Sequence, residues 1–265
     1  TLYKIIDNRL PTIHKPFRRQ DKFDHKGDTF REMIDLWEEN KLVKVIPSEN
    51  VHPWLNGIGN VLLYDRPTYS WFIPAQTHNK LGLFGNPNPP QDLSNNSQWI
   101  FWPRRPRLME KYTNYILKYE ERTIMSAFIG KVENNTQLKH RKNVDWSKCI
   151  ELFEMPINGN YKYSQEEYLK VMSQVKFGLC LRGFGGKCNR EIELMGLGVV
   201  PIFTPGVNKS YYNALKKNDH YLYAKNPTEV IKVIQSCSKT NWERLSKNGR
   251  QWYIENCSTL GSFTT

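Results

Sequence analysis

Between Leu181 and Lys187 the chain reads Leu181-Arg182-Gly183-Phe184-Gly185-Gly186-Lys187, and Arg190 and Glu193 follow closely. Three glycines let a backbone approach a ligand, and a helix starting after them presents unpaired N–H groups to an anion. Arg182, Lys187 and Arg190 add fixed positive charge at the same place. This combination suits a phosphate or diphosphate. The glycines match neither the GxGxxG nor the Walker pattern, so a tight turn with surface cations is the plain alternative. Glu193 lies one turn inside the same helix, where a carboxylate can accept hydrogen bonds from a ribose diol. Glu191 is expected to face elsewhere, because adjacent helical positions diverge by about 100°. A solvated charge, or a pair with Arg190, is the competing reading of Glu193.

The elements that must hold these residues follow from hydrophobic patterning. From Thr123 onward the order is strand, loop, strand, helix, strand, helix, strand, the alternation of a parallel α/β sheet. Strands are expected at Thr123 to Ile129, Cys149 to Phe153, Phe177 to Leu181, Val199 to Phe203 and Tyr221 to Tyr223. Ser164-x-x-Glu167 caps one helix, Asn189 to Leu197 forms another, and Asn226-Pro227 opens a third with Pro at N1. Asn241 is expected to cap a last helix reaching about Glu255. In an open α/β sheet ligands bind beyond the carboxyl ends of the strands, where the Arg182 loop falls. The first hundred residues are richer in Pro, Trp and Asn. There a capping box, Thr29-x-x-Glu32, predicts a helix to about Asn40, with short strands at Val43 to Ile46 and Val61 to Tyr64. Loops carrying Pro53, Pro67, Pro74 and Pro87-Asn88-Pro89-Pro90 follow, then a helix from Pro106 with Leu108, Tyr112, Tyr115, Ile116 and Tyr119 on one face.

The chain has 265 residues, 39% hydrophobic and 13% aromatic, enough to bury a core and of a length that allows one large domain or two. Its formal charge of +12 implies an anionic partner. The tightest basic runs, Arg104-Arg105-Pro106-Arg107 and His140-Arg141-Lys142, carry no helix-turn-helix, zinc-finger or RNP pattern. A polyphosphate ligand needs only two or three placed cations, so net charge alone does not choose between that ligand and nucleic acid, and the choice against nucleic acid rests on the motifs below. A basic single-stranded nucleic-acid binder with an aromatic stacking face is the rival from another class. Five cysteines without metal-ligand spacing suit free thiols in a reducing compartment, so a cytoplasmic location is expected. No apolar run approaches the length of a membrane span.

Lys176-Phe177-Gly178-Leu179-Cys180-Leu181-Arg182-Gly183-Phe184-Gly185, followed by Arg190-x-x-Glu193-Leu194-Met195-x-x-Gly198-Val199-Val200-Pro201-Ile202, resembles the C-terminal signature of exostosin-like glycosyltransferases. The Thr123 to Gly130 strand and its glycine resemble the opening of that family's nucleotide domain. The resemblance covers roughly Thr123 to Val207. Within the family the chain is most similar to chlorella-virus-encoded members that build capsid glycans, a xylosyltransferase among them.

The resemblance implies an α/β fold of GT-B type, two Rossmann-like lobes with a cleft between them. It implies an acceptor lobe over residues 1–120, a nucleotide-sugar lobe over 121–240, and a C-terminal helix over 241–265 crossing back to the first lobe. It also implies a UDP-sugar donor, UDP-xylose in the chlorella-virus subgroup, and a glycan acceptor; an inactive lectin-like member of the same fold, which would bind donor or glycan without turnover, is the alternative reading. By position Arg182 and Arg190 would hold the diphosphate, beside Gly183, and Glu193 the ribose. The chain departs from the family at Lys187 and Cys188, where a small hydroxyl residue is common; Lys187 could supplement the diphosphate contacts.

No Asp-x-Asp occurs, and the carboxylates Asp21, Asp24 and Asp28 around His25 read as a solvated loop, so no metal cofactor is expected. The charge of the leaving nucleotide would fall to the basic side chains and helix N–H groups. An inverting transfer, the outcome expected, needs a general base on the acceptor hydroxyl; a retaining one does not. Asp65, at the carboxyl end of Val61 to Tyr64, is the first candidate, with His78 second and Asp92 third. An Asx-turn before Arg66-Pro67 is the competing reading of Asp65. Trp54, Tyr69, Trp71, Trp99 and Trp102 are dense enough to stack on sugars, although most are expected in the core. Trp71 and His78 are the expected acceptor contacts.

Overall fold

The computed structural model describes residues 10, 12–15, 25–47, 61–64, 81–84, 98–100, 102–183, 185–209 and 213–265. Within them the chain is a mixed α/β protein built on parallel sheets, as its alternating pattern predicts. The largest has five strands: β6 (Ile124–Ile129), β7 (Leu152–Glu154), β8 (Val175–Cys180), β9 (Val200–Phe203) and β10 (Leu222–Tyr223). Their spatial order is β10-β9-β8-β6-β7, and every pairing is parallel. Earlier strands form two smaller parallel sheets. One pairs β1 (Thr12–Lys15) with β2 (Lys44–Pro47); the other runs β3 (Val61–Tyr64), β4 (Leu81–Phe84), β5 (Gln98–Ile100).

Helices bury both faces of the five-stranded sheet, which is why its strands read as continuous apolar runs. The pleat sends alternate residues to opposite sides. Ala127, Ile129 and Phe203 join one buried cluster, with Leu169, Met172, Ile192, Met195 and Trp252; Phe128, Phe177, Leu179 and Ile202 join the other, with Trp146, Val230, Trp242 and Leu245. The covering helices are α4 (Gln165–Ser173), α5 (Asn189–Gly196), α6 (Pro227–Ser236) and α7 (Lys239–Asn256). α1 (His25–Glu39) and α2 (Pro106–Thr113) extend the first cluster through Met33, Ile34, Trp37, Trp102 and Met109. A short α8 (Thr259–Thr264) lies on α1, where Trp37 Nε1 donates to the Thr259 carbonyl at 3.0 Å and to Ser262 Oγ at 2.9 Å. A three-residue helix, α3 (Asn135–Gln137), runs into a π-helical turn at Leu138–Lys142, and a 3-10 turn follows at Trp146–Cys149.

Several local expectations shift. α1 begins at His25, so Thr29 lies inside it and its hydroxyl donates to the Arg104 carbonyl at 2.7 Å instead of capping. α2 stops at Thr113, leaving Tyr115, Ile116 and Tyr119 beyond the helix; Tyr119 packs edge-on against Trp242. Cys149 belongs to the 3-10 turn, and β7 begins at Leu152. α7 is capped by Ser238, whose hydroxyl accepts the Asn241 N–H at 3.2 Å, so Asn241 sits three positions inside. The stretch expected to be loop contains β4 and β5. The caps at Ser164 and Asn226 stand as expected.

Candidate anion-binding site

After β6 the chain adds β7 on one flank, then returns past β6 to lay down β8, β9 and β10 on the other. The direction of growth therefore reverses between β6 and β8, and the crevice beyond the strand ends at such a reversal is the natural ligand position. Three turns converge there. Thr204 Oγ1, just after β9, donates to the Cys180 carbonyl at the end of β8 at 2.8 Å, and the Asn208 N–H donates to the Gly186 carbonyl at 2.7 Å. Arg190 ties β6 to the same place, its Nη2 donating to the Ile129 carbonyl at 2.7 Å.

Arg190 is the centre of the arrangement. Its guanidinium lies 4.4 Å from the Phe128 ring centroid and is almost fully buried. Buried Nε and Nη1 have no hydrogen-bond partner among the described residues. Charged donors left so are costly, and an anion that accepts from them removes that cost. The close approach depends on Gly130: a Cβ there would stand 2.5 Å from Arg190 Nη2 and 2.8 Å from Phe128.

Around Arg190 lie groups whose ionisation burial has altered. Lys187 is 1% exposed, and burial pushes its ammonium down to about 7, with Glu191 acting the other way. Glu191 is fully buried. Its Oε2 accepts the Cys188 N–H at 2.6 Å, capping α5, while Oε1 has no partner among the described residues. Burial raises its carboxyl to about 7, against the pull of Arg190. Arg182 is half-buried; its stem and the His140 ring press on Gly206, whose φ of 89° and crowded α-carbon leave no room for a Cβ. Burial first, and the Arg182 charge next, hold the His140 imidazole below its ordinary range. Gly183 is close-packed too, since a Cβ would meet Cys188 Sγ at 2.5 Å.

Glu193 is buried at 4% exposure. Its Oε1 accepts the Arg104 N–H and Gln165 Nε2, each at 3.1 Å, and burial raises its carboxyl above the ordinary range. It forms no ion pair with Arg190 among the described residues, and it joins α5 to both α4 and the segment before α2.

Arg182, Gly183, Lys187, Arg190 and Glu193 thus share one loop and the first turns of one helix. Asp65, His78 and Trp71 lie outside the described residues, as do Trp54, Tyr69 and Asp92. Trp102 is a core residue, stacked on Phe30 at 5.9 Å and edge-on to Trp37 at 5.5 Å. Of the acidic group near His25, Asp28 pairs with Arg31, and Asp21 and Asp24 fall outside the described residues.

Two contributors escape sequence reasoning. Arg141, from the π-helical turn, is 4% exposed and binds main chain from two strand ends: Nε to the Arg182 carbonyl at 2.9 Å, Nη1 to that of Lys131 at 2.5 Å, and Nη2 loosely to Leu181 at 3.5 Å. Burial, then Arg190, lowers it to about 10. The basic run His140-Arg141-Lys142 was its only signal. The other is Glu191, expected to face away yet wholly enclosed with Arg190. In chemical terms the site offers buried guanidinium and ammonium groups, a helix N-terminus and a carboxylate one turn along.

No protein-family model and no curated protein matches the sequence. Among solved structures, the chain is similar to the C-terminal domain of a glycosyl transferase group 1 family protein (LpcC) from Francisella tularensis. That match has a TM-score of 0.32 and 10% identity, and covers 58% of this chain and 94% of that one. It is also similar to Anabaena Alr3699/HepE in complex with UDP-glucose, with a TM-score of 0.42, 8% identity, and coverage of 89% of this chain and 74% of that one.

Proposed function

We propose that the chain is a metal-independent glycosyltransferase of GT-B type that transfers a sugar, xylose in the first instance, from a UDP-sugar to a glycan acceptor with inversion. One observation supports this above others: the Arg190 guanidinium, buried at the β6/β8 reversal with Nε and Nη1 unsatisfied among the described residues. It stands within the Arg-x-x-Glu signature by which the sequence resembles the exostosin-like family. Arg190, Arg182 and Lys187 would neutralise the diphosphate as the sugar departs, a preorganised electrostatic contribution. Gly183 lets the turn close over it, and Glu193 would accept from the ribose diol. Asp65 would take the acceptor hydroxyl's proton, with His78 as the alternative base and Trp71 stacking on the acceptor sugar.

The test is a melting-temperature panel of nucleotides and UDP-sugars with EDTA present, since a ligand bound by the native state raises the melting point. UDP and UDP-xylose should raise it in the wild type and fail to do so in Arg190→Met, which keeps an unbranched apolar stem and removes the charge. Asp65→Asn should bind UDP and lose transfer. No shift with any uridine nucleotide, together with tight, salt-sensitive binding of single-stranded oligonucleotides, would overturn the reading.

A further inference from the structure

The basic run Arg104-Arg105-Pro106-Arg107 has no part in the function proposed above. Two of its guanidiniums are engaged by α1, Arg105 with Glu32 at 3.3 Å and Arg107 with Glu39. Arg104 differs. Its main chain is fastened from both sides, the N–H donating to Glu193 Oε1 at 3.1 Å and the carbonyl accepting from Thr29 Oγ1 at 2.7 Å. Two residues earlier, the Trp102 carbonyl accepts from Asn189 Nδ2 at 2.8 Å. Asn189 and Glu193 are four residues apart on α5 and so share a face. The segment is therefore held against the helix that carries Arg190. Behind it, Trp102 is fully buried against Phe30 and Trp37. The Arg104 side chain is half-buried, and among the described residues its guanidinium makes no hydrogen bond or ion pair. It does bear electrostatically on Glu193.

We propose that Arg104 is a further donor-binding residue, its guanidinium reaching from the connecting segment to a phosphate oxygen of the nucleoside diphosphate held at α5. The inference rests on the donor-site reading above and deepens it. The fastened backbone fixes where the side chain starts, and the planar fork of a guanidinium matches a phosphate better than a hydroxyl. Glu193 would take the ribose diol, and the diphosphate leaves the same sugar at its 5′ carbon, within reach of an arginine side chain whose backbone is bonded to Glu193. The arginines on either side of the cleft would then come from two parts of the chain, Arg182 and Arg190 from the loop and α5, Arg104 from the segment entering α2.

The experiment is calorimetric titration of the full chain with UDP and with uridine at two salt concentrations. It compares the wild type with Arg104→Gln, Arg104→Lys and Arg105→Gln, each checked for an unchanged melting point. Arg104→Gln should weaken UDP binding about tenfold or more and flatten its salt dependence, leaving uridine binding as it was. Arg104→Lys should recover part of the loss, and Arg105→Gln should match the wild type. Wild-type UDP affinity in Arg104→Gln would overturn this proposal alone. So would an equal loss in Arg105→Gln, which would trace the effect to loosening of the segment. A wild type that binds no UDP would overturn the donor-site reading, and this one with it.

Discussion

Lys187 and Glu191 enter the same dry region with opposite charges, and burial brings both to about 7. Their effects on stability have opposite signs. For Glu191 the folded value lies above the ordinary 4.5, so between about pH 4.5 and 7 the folded chain keeps a proton that the unfolded chain has released. Its contribution is therefore present at acid pH and lost as pH rises through 7. For Lys187 the folded value lies below the ordinary 10.5, so the unfolded chain holds the extra proton between about pH 7 and 10.5, and stability recovers across that range. A local minimum near neutrality is the expected sum. Glu191→Gln should remove the falling limb and leave the rising one, as measured by urea unfolding across the pH range. A variant that tracks the wild type below neutrality would show that Glu191 does not titrate there. A bound diphosphate should favour the ammonium form of Lys187, so ligand and proton should be taken up together.

At the scale of elements, two buried arginines do similar work at opposite ends of the sheet. Arg141 joins the carboxyl ends of β6 and β8, where the candidate site lies. Arg122 serves the other end, donating to the carbonyls of Leu117, Ser173, Val175 and Leu197 and lying 5.1 Å from the Trp242 ring. Arg122→Met would leave those carbonyls unpaired in a buried place, and a loss of about 3 kcal/mol or more is expected in urea unfolding, with UDP affinity of the folded protein unchanged. A loss of under about 0.5 kcal/mol would show that water or repacking replaces these bonds.

Neither arginine's task was legible in the sequence, because a guanidinium that serves backbone carbonyls leaves no pattern in neighbouring side chains. The strands themselves were legible. Thr123 to Ile129, Phe177 to Leu181 and Val199 to Phe203 are apolar runs bounded by turns, and each fell within two residues of a strand. β4 and β5 were not, since a glycine interrupts the apolar run Leu81–Phe84, and Gln98–Ile100 is three residues with a single aliphatic one. Thr29 misled because a capping box reads the same whether or not an earlier turn of helix precedes it. The loop of Arg182 and the helix of Arg190 were readable as a site; the enclosure of Glu191, and the partners of Glu193 on α4 and at Arg104, depend on contacts distant in sequence.

Across the whole molecule, the first and last described helices depend on each other. Trp37 of α1 donates to α8 at two acceptors, Phe263 packs edge-on against it at 5.9 Å, and Met33 meets Ser262. Trp37→Phe keeps most of the packing and removes the N–H. It should cost about 1–2 kcal/mol, leaving the Thr259 carbonyl with one donor fewer in a buried place. Deleting residues 258–265 should cost more, since it uncovers Trp37 and Met33 together. If the two changes lowered stability equally, the hydrogen bonds alone would account for α8's hold on α1.

That dependence also has a schedule. Trp37 and Thr259 are 222 positions apart, so at ribosomal rates of about 5–20 residues per second the apolar flank of α1 waits roughly 10 to 45 s for its cover. During that interval Trp102 and Met109 can already pack on α1, but Trp37 and Met33 still lack the partners that α8 supplies. A holdase chaperone that recognises apolar helix faces would find its target in the α1 segment and should release it once α8 emerges.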